Sequence, residues 1–146
     1  MKFFASVAAA VALAATASAA FSSCGSSSDS FSLSSVSYTP NPPKVGQDVC
    51  ITLSGTLSAA VTDGAILAVT GTFLGIKVYS ASGDLCEGLA GSSTPCPIAA
   101  GAQTVTQCVS VPSNVPAGIS INLKAVATAA SGSEIFCISG PLTFSS

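Results

Sequence analysis

Histidine, tryptophan and arginine are absent from this sequence of 146 residues, and charged side chains make up only 7% of it. Without histidine, the Ser-His and Cys-His pairs that activate a nucleophile cannot be built. The same absence removes a common zinc ligand, and no two cysteines have the Cys-x-x-Cys spacing of a zinc site. We therefore expect neither a metal nor a cofactor.

Basic charge is also scarce. After Lys2, the cations are Lys44, Lys77 and Lys124, against six acidic residues. Nucleic-acid binding requires a basic stripe, which three lysines cannot form, and they would attract an anionic membrane only weakly. The sequence therefore predicts no nucleic-acid partner and at most a transient membrane contact.

Two carboxylates, Asp84 and Glu87, could in principle serve glycoside hydrolysis, because that chemistry uses paired carboxyl groups. They flank Cys86 in "GDLCEGLAGSSTPCPIAAG", a stretch that contains no aromatic side chain to bind a sugar ring. The interpretation as solvated loop charges is therefore favoured. The sequence predicts no enzymatic activity.

The first 20 residues have the pattern of a secretory signal peptide. Lys2 precedes an alanine-rich apolar run that ends in small residues of the A-x-A type. A membrane anchor, the alternative, would need about 20 strongly apolar residues and a charged stop, whereas this run leads into "FSSCGSSSDS". We expect residues 1–20 to be a signal peptide and the protein to be secreted or to lie in the lumen of the secretory or vacuolar pathway.

Residues 21–146 alternate apolar and polar side chains with a period of two, between turns rich in glycine, proline and serine. This pattern predicts one all-β domain, an immunoglobulin-like β-sandwich, with an up-and-down barrel as the structural alternative. The predicted strands are 31–38, 48–55, 65–73, 75–81, 104–111, 119–128 and 134–144.

Six cysteines in an exported chain predict three disulfide bonds. Cys50 and Cys108 fall on the polar faces of the second and fifth predicted strands, which are neighbours in a sandwich of this kind, so a solvent-side bond can join them. Cys24 and Cys137 lie near the two ends of the domain. The predicted pairs are Cys24–Cys137, Cys50–Cys108 and Cys86–Cys96.

The order "SYTPNPPKVGQ", "DLC" followed by "CPI", "VPSNVPAG" and "IFCI" resembles the ML lipid-recognition domain. This family includes fungal phosphatidylglycerol/phosphatidylinositol transfer proteins and the Niemann-Pick type C sterol carrier. The resemblance implies a seven-stranded sandwich that holds a lipid between its sheets, and it implies the Cys24–Cys137 and Cys86–Cys96 bonds. The expected function is that of a secreted, monomeric lipid-binding and lipid-transfer protein for a sterol or phospholipid. An immunoglobulin-like surface or matrix interaction module without a lipid ligand is the alternative.

Candidate lipid contacts come from two sources. Alternation marks the inward faces of the predicted strands, and the resemblance places the loop with Leu89 and Ile98 near the mouth of the lipid cavity. Every candidate could equally belong to an ordinary packed core. Only Lys77 and Lys124 could reach a phosphate near the mouth, so we expect weak discrimination among headgroups. The candidates are Leu67, Val69, Phe73, Ile76, Val78, Leu89, Ile98, Ile121, Leu123, Phe136 and Ile138.

Overall fold

A computed structural model describes residues 21–146, so the predicted signal peptide lies outside the described residues. The chain forms two antiparallel sheets, one of five strands in the order β1-β8-β7-β4-β5 and one of three in the order β2-β3-β6. This is the predicted all-β sandwich. The elements are β1 Ser22–Ser23, β2 Phe31–Thr39, β3 Asp48–Leu57, β4 Ile66–Phe73, β5 Ile76–Asp84, α1 Leu85–Leu89, β6 Gly101–Ser110, β7 Ser120–Thr128 and β8 Glu134–Thr143.

The seven predicted strands are present as β2 to β8, and two elements were missed. β1 has two residues and pairs with β8 beside the Cys24–Cys137 bond. α1 has five residues, and its N-cap, Asp84, accepts a hydrogen bond of 2.9 Å from the backbone N–H of Glu87. Asp84 is thus a capping residue as well as a loop charge. Both elements are too short to show a period. Among residues 21–146, no helix is long and apolar enough to cross a bilayer.

The pairing of β3 with β6 separates a polar outer face from an apolar inner face. On the outer face the hydroxyl oxygens of Thr52 and Thr106 are 3.0 Å apart, and Cys50 stands opposite Cys108. On the inner face Val49 is buried and stands opposite Val109. The face assignment from the sequence is therefore confirmed for this strand pair.

The three disulfide bonds join the pairs that the sequence predicted. Cys24–Cys137 ties the start of the domain to β8, and Cys50–Cys108 bridges β3 and β6. Cys86–Cys96 closes the loop between α1 and β6, with a sequence separation of 10. In the loop-closure model this bond stabilises the fold by roughly 3 kcal/mol.

The apolar interior is divided into two clusters. The first cluster contains Phe31, Val61, Leu89 and Phe136 and lies where the loop between α1 and β6 packs on the sheets. The second cluster lies toward the other end of the sandwich and consists of five buried residues. Its members are Val49, Val111, Ile121, Leu142 and Phe144.

The β4–β5 hairpin contains a register irregularity that alternation could not reveal. Its turn residues Leu74 and Gly75 have φ angles of 53° and 81°, the left-handed values that a two-residue hairpin turn requires. Gly71 pairs with Tyr79, but the next residue of β4 pairs with Lys77. Val78 therefore has no counterpart on β4, and a bulge shifts the alternation of β5 at this point.

Candidate functional site

The two long sides of the sandwich differ in how well the sheets cover each other. On one side β2 contacts β8, and the rings of Phe31 and Phe136 meet edge to face with centroids 6.2 Å apart. We call this the closed side. On the other side, the three-stranded sheet leaves β5 uncovered, and every residue from Ile76 to Gly83 is exposed. We call this the open side.

Apolar side chains of the inner faces reach solvent on the open side. Tyr79 of β5 is 43% exposed and Val109 of β6 is 45% exposed, although both belong to inner faces. Val69 and Phe73 on the neighbouring strand β4 are half-buried and pack into neither interior cluster. These four residues form the incompletely covered apolar part of the inner faces near β5 and β6, the edge strands of the two sheets. We call this surface the open groove.

Gly71 explains how the floor of the open groove is built. A β-carbon added to Gly71 would stand 3.1 Å from Leu123, 3.3 Å from Ile121 and 3.3 Å from the Cβ of Tyr79. Such contacts are tighter than ordinary van der Waals separation, so the absence of a side chain lets these three side chains converge. Tyr79 is thereby held next to the second cluster instead of pointing away from the sheet.

The structure distributes the eleven candidate residues over three environments. Two of them, Ile76 and Val78, are 68% and 52% exposed, and the bulge at Val78 breaks the alternation on which its prediction rested. Only Val69 and Phe73 lie at the open groove without belonging to a cluster. The remaining seven pack in or against the clusters, with Leu67, Leu89, Ile98, Phe136 and Ile138 at the first and Ile121 and Leu123 at the second.

Leu89 and Ile98 hold the loop that the Cys86–Cys96 bond closes, which we call the stapled loop, against the sandwich. Ile98 is 4% exposed and exchanges two backbone hydrogen bonds of 2.9 Å with Val61, while Leu89 is 2% exposed in α1. Of the two interpretations left open by the sequence, anchoring of the loop describes their contacts.

Two residues at the open groove were not among the candidates. Tyr79 was missed because strict alternation from Ile76 places it on the outer face. The bulge at Val78 moves Tyr79 to the inner face, opposite Gly71. Gln107 was missed because it is polar, although its position between Val105 and Val109 puts it on the inner face by simple alternation. That spacing was the available signal for Gln107.

Gln107 is a polar side chain in apolar surroundings. It stands opposite Ile51, and its Oε1 is buried without a hydrogen-bond partner among residues 21–146. A buried acceptor without a partner costs about 1 to 3 kcal/mol. Its Nε2 lies 3.8 Å from the point where a β-carbon on Gly88 would stand, so the carboxamide points toward α1.

The two lysines of the sheet lie on the outer faces of their strands. Lys124 pairs with Thr70 and alternates with the inward residues Leu123 and Ala125, which places it on the outer face. Lys77 pairs with Thr72, which is also on the outer face. The inner face of the groove is therefore uncharged.

Two surface pockets lie away from the open groove. One of about 370 Å³ is bordered by Asp63, Asp84 and Glu87 beside the stapled loop. The other, of about 290 Å³, is bordered by Thr70, Asn122 and Lys124. In the described part of the chain, no group of three or more histidine, cysteine or acidic residues is placed to hold a metal ion.

One carboxyl group has a shifted pKa. A side-chain hydrogen bond with Asp29 raises the pKa of Glu134 above its ordinary value of 4.5, and partial burial and repulsion by Asp29 add to this, while Lys124 opposes it. Glu134 begins β8, away from β5 and β6. This pair therefore bears on stability and not on the open groove.

Curated relatives include two fungal proteins named phosphatidylglycerol/phosphatidylinositol transfer protein. The one from Candida albicans is 40% identical over 86 residues, which cover 59% of this chain and 45% of the relative. The one from Aspergillus fumigatus is 34% identical over 106 residues, covering 73% of this chain and 60% of the relative. The chain thus spans about half of the length of these proteins.

Solved structures show the same fold at low sequence identity. A Niemann-Pick type C2 protein from Japanese carpenter ant has a TM-score of 0.67 at 16% identity, with 85% of this chain and 98% of that chain covered. Chicken MD-1 complexed with lipid IVa has a TM-score of 0.64 at 16% identity, covering 85% of this chain and 88% of that chain. A family model described as the ML domain matches residues 18–144. The chain therefore belongs to the ML domain family.

Proposed function

We propose that this protein binds a lipid in the open groove and transfers it between membranes without covalent chemistry. The observation that carries the proposal is the exposure of inner-face apolar side chains on one side of the sandwich only, at Tyr79 and Val109. An apolar surface of this kind marks a site for an apolar partner when it is contiguous. A lipid chain laid between β5 and β6 would cover it.

Burial of a hydrocarbon chain supplies the affinity. Each methylene removed from water contributes about 0.8 kcal/mol. The half-buried residues Val69 and Phe73 already offer apolar contacts at the groove without filling it. Because the inner face carries no charge, chain burial should dominate the affinity over headgroup contacts, and both sterols and phospholipids fit this chemistry.

The family and its members support the same assignment. Relatives from Candida albicans and Aspergillus fumigatus are named phosphatidylglycerol/phosphatidylinositol transfer proteins. Chicken MD-1, which has a similar fold, was crystallised in complex with lipid IVa. Three disulfide bonds suit an oxidising compartment, so we propose that the protein acts as a monomer in the secretory pathway or outside the cell. Its contact with a membrane would be transient, during loading and release.

The proposal is tested with two variants that change equally exposed residues on opposite faces. Val109 is 45% exposed on the inner face, and Ile66 is 46% exposed next to the inward Leu67 and so on the outer face. Val109→Asn should lower the affinity for a fluorescent phospholipid by roughly tenfold through lost apolar contact, whereas Ile66→Asn should leave it unchanged. Equal effects of the two variants would contradict the groove as the binding site.

Purified native protein provides the second measurement. Extraction followed by lipid mass spectrometry should recover lipid in a fixed ratio to protein, and vesicle transfer assays should show movement of labelled lipid. If wild-type protein neither contains nor takes up any lipid, lipid binding is wrong and the interaction-module alternative is favoured.

A further inference from the structure

The carboxamide of Gln107 stands apart from the other polar groups of the three-stranded sheet. On the outer face, the hydroxyls of Ser54 and Thr104 pair at 3.2 Å, and Ser110 donates to Asp48 at 2.8 Å. Gln107 is on the inner face, where its neighbours on β6 are Val105 and Val109. Its Oε1 is buried without a partner among the described residues.

Gln103 provides an internal comparison. It has the same alternation as Gln107, being four residues earlier on β6, and it stands opposite Gly55. Its Nε2 donates a hydrogen bond of 2.9 Å to the backbone carbonyl of Ala99. The nitrogen of Gln103 thus has a partner, whereas the buried oxygen of Gln107, beside the groove residue Val109, has none among the described residues.

An apolar side chain of similar size would fill the position of Gln107 without an unpaired acceptor. Buried polar groups are paired in folded proteins, so an orphaned one points to a partner other than the described residues, either a water molecule or a ligand group. A carboxamide accepts a hydrogen bond at its oxygen and donates from its nitrogen. A hydroxyl group, which both donates and accepts, is the matching neutral ligand group. The absence of lysine from the inner face favours a hydroxyl over a phosphate.

We propose that Gln107 is the polar anchor of the open groove and selects lipids that carry a free hydroxyl group. This inference rests on the proposed lipid binding. The hydroxyl could belong to a sterol or to the headgroup of a phospholipid. In either case the Oε1 of Gln107 accepts from the hydroxyl while the apolar part of the lipid lies along Val69, Phe73 and Val109.

Two matched lipid pairs test the selection. Cholesterol is compared with its methyl ether, and phosphatidylglycerol with phosphatidylmethanol, which has the same charge but no free hydroxyl. Each competes with a fluorescent fatty acid for delipidated full-length protein. The wild type should bind the hydroxyl-bearing member of at least one pair about tenfold more tightly, as expected for one hydrogen bond that satisfies a buried acceptor. The pair that shows the difference identifies the source of the hydroxyl.

Gln107→Leu and Gln107→Met should reduce the ratio of the two affinities within a pair to about one. Both variants should retain affinity for the lipids without a free hydroxyl, the cholesterol methyl ether and phosphatidylmethanol. Gln103→Leu, the control, should keep the wild-type ratio. The delipidated Gln107 variants should also melt at or above the wild-type temperature, because they remove an unpaired buried acceptor. A lower melting temperature for both would show that the carboxamide is bonded within the fold and would overturn the inference.

Failures of the two proposals are distinguishable. If the wild type binds both members of each pair equally, or if the Gln107 variants keep the wild-type ratio, only the selection by Gln107 is wrong. If the wild type binds the fluorescent fatty acid but none of the four lipids, only this inference is wrong. If it binds neither the fatty acid nor any of the four lipids, the proposed function is wrong, and this inference is wrong with it.

Discussion

The closed and open sides of the sandwich are made of similar apolar residues but differ in what covers them. On the closed side Phe31 and Phe136 are 6% and 8% exposed, and their rings contact each other across the two sheets. On the open side Tyr79 and Val109 remain nearly half exposed. An inward-facing apolar residue is therefore core on one side and exposed to solvent on the other. Whether such a residue is buried or exposed depends on how far the opposite sheet covers it.

The largest difference between the sides should be found by truncating one aromatic residue on each. Phe136→Ala should lower the free energy of unfolding by about 3 to 5 kcal/mol, because it leaves a cavity among close-packed neighbours. Tyr79→Ala should cost less than about 1 kcal/mol, since much of that ring is already in contact with solvent. Chemical denaturation of delipidated protein measures both. Similar losses would show that the open side is packed as tightly as the closed one.

Removal of the stapled-loop disulfide tests whether the connection between β5 and β6 shapes the open side. Cys86→Ser combined with Cys96→Ser should lower stability by roughly 3 kcal/mol. It should also weaken lipid binding, because α1 would lose its fixed position beside Gln107.

Cys50→Ser with Cys108→Ser is the control for this disulfide, since that bond lies on the outer face. It should lower stability but leave lipid affinity unchanged. If both double variants bind lipid as the wild type does, the stapled loop does not shape the groove.

A larger side chain distinguishes filled space from open space. Ile121 is buried in the second cluster, so Ile121→Phe should cost about 1 to 3 kcal/mol through overpacking. Val69 is half-buried at the groove and belongs to neither cluster, so Val69→Phe should change stability little while reducing lipid capacity. Denaturation and lipid-binding assays on the same preparations measure the two quantities. A large loss of stability for Val69→Phe would place it in packed core.

The smallest expected effect is a pH dependence away from the open side. Because the pKa of Glu134 is raised in the folded state, its protonated form stabilises the fold. That contribution is complete below the ordinary value of 4.5 and is lost as pH rises through the raised value. Glu134→Gln should therefore flatten the dependence of melting temperature on pH just above 4.5 and leave lipid binding unchanged. An unaltered pH profile would contradict this role.

The fold could be predicted well where each strand obeys one rule throughout. β3 and β6 keep strict alternation over their length, so the sequence placed Val49 inward and Cys50 outward correctly and paired Cys50 with Cys108. In β5 a single bulge between the pairs of Gly71 and Thr72 invalidated the same reasoning. A bulge depends on how two strands fit together, which a single strand does not encode.

The burial of the candidate residues could be predicted less well than the fold. Most of the candidate residues pack in or against the interior clusters, because alternation identifies an apolar face without showing how far the second sheet extends over it. Tyr79 reaches the groove through the bulge of β5 and the missing side chain of Gly71. Gln107 could have been placed on the inner face from its spacing. The absence of a partner for its Oε1 among the described residues could not have been predicted in this way.

By itself, the sequence determined the sandwich, its seven long strands, the Cys50–Cys108 pair and the exclusion of histidine-dependent chemistry, because these follow from local alternation and from residue inventory. Tertiary structure decided which side of the sandwich is open, which apolar residues are core, and that the Oε1 of Gln107 is buried without a partner among residues 21–146. The physical reason is that burial and hydrogen-bond satisfaction depend on what the opposite sheet and the connecting loop place against a residue. Those neighbours are distant in sequence and meet only when the chain has folded.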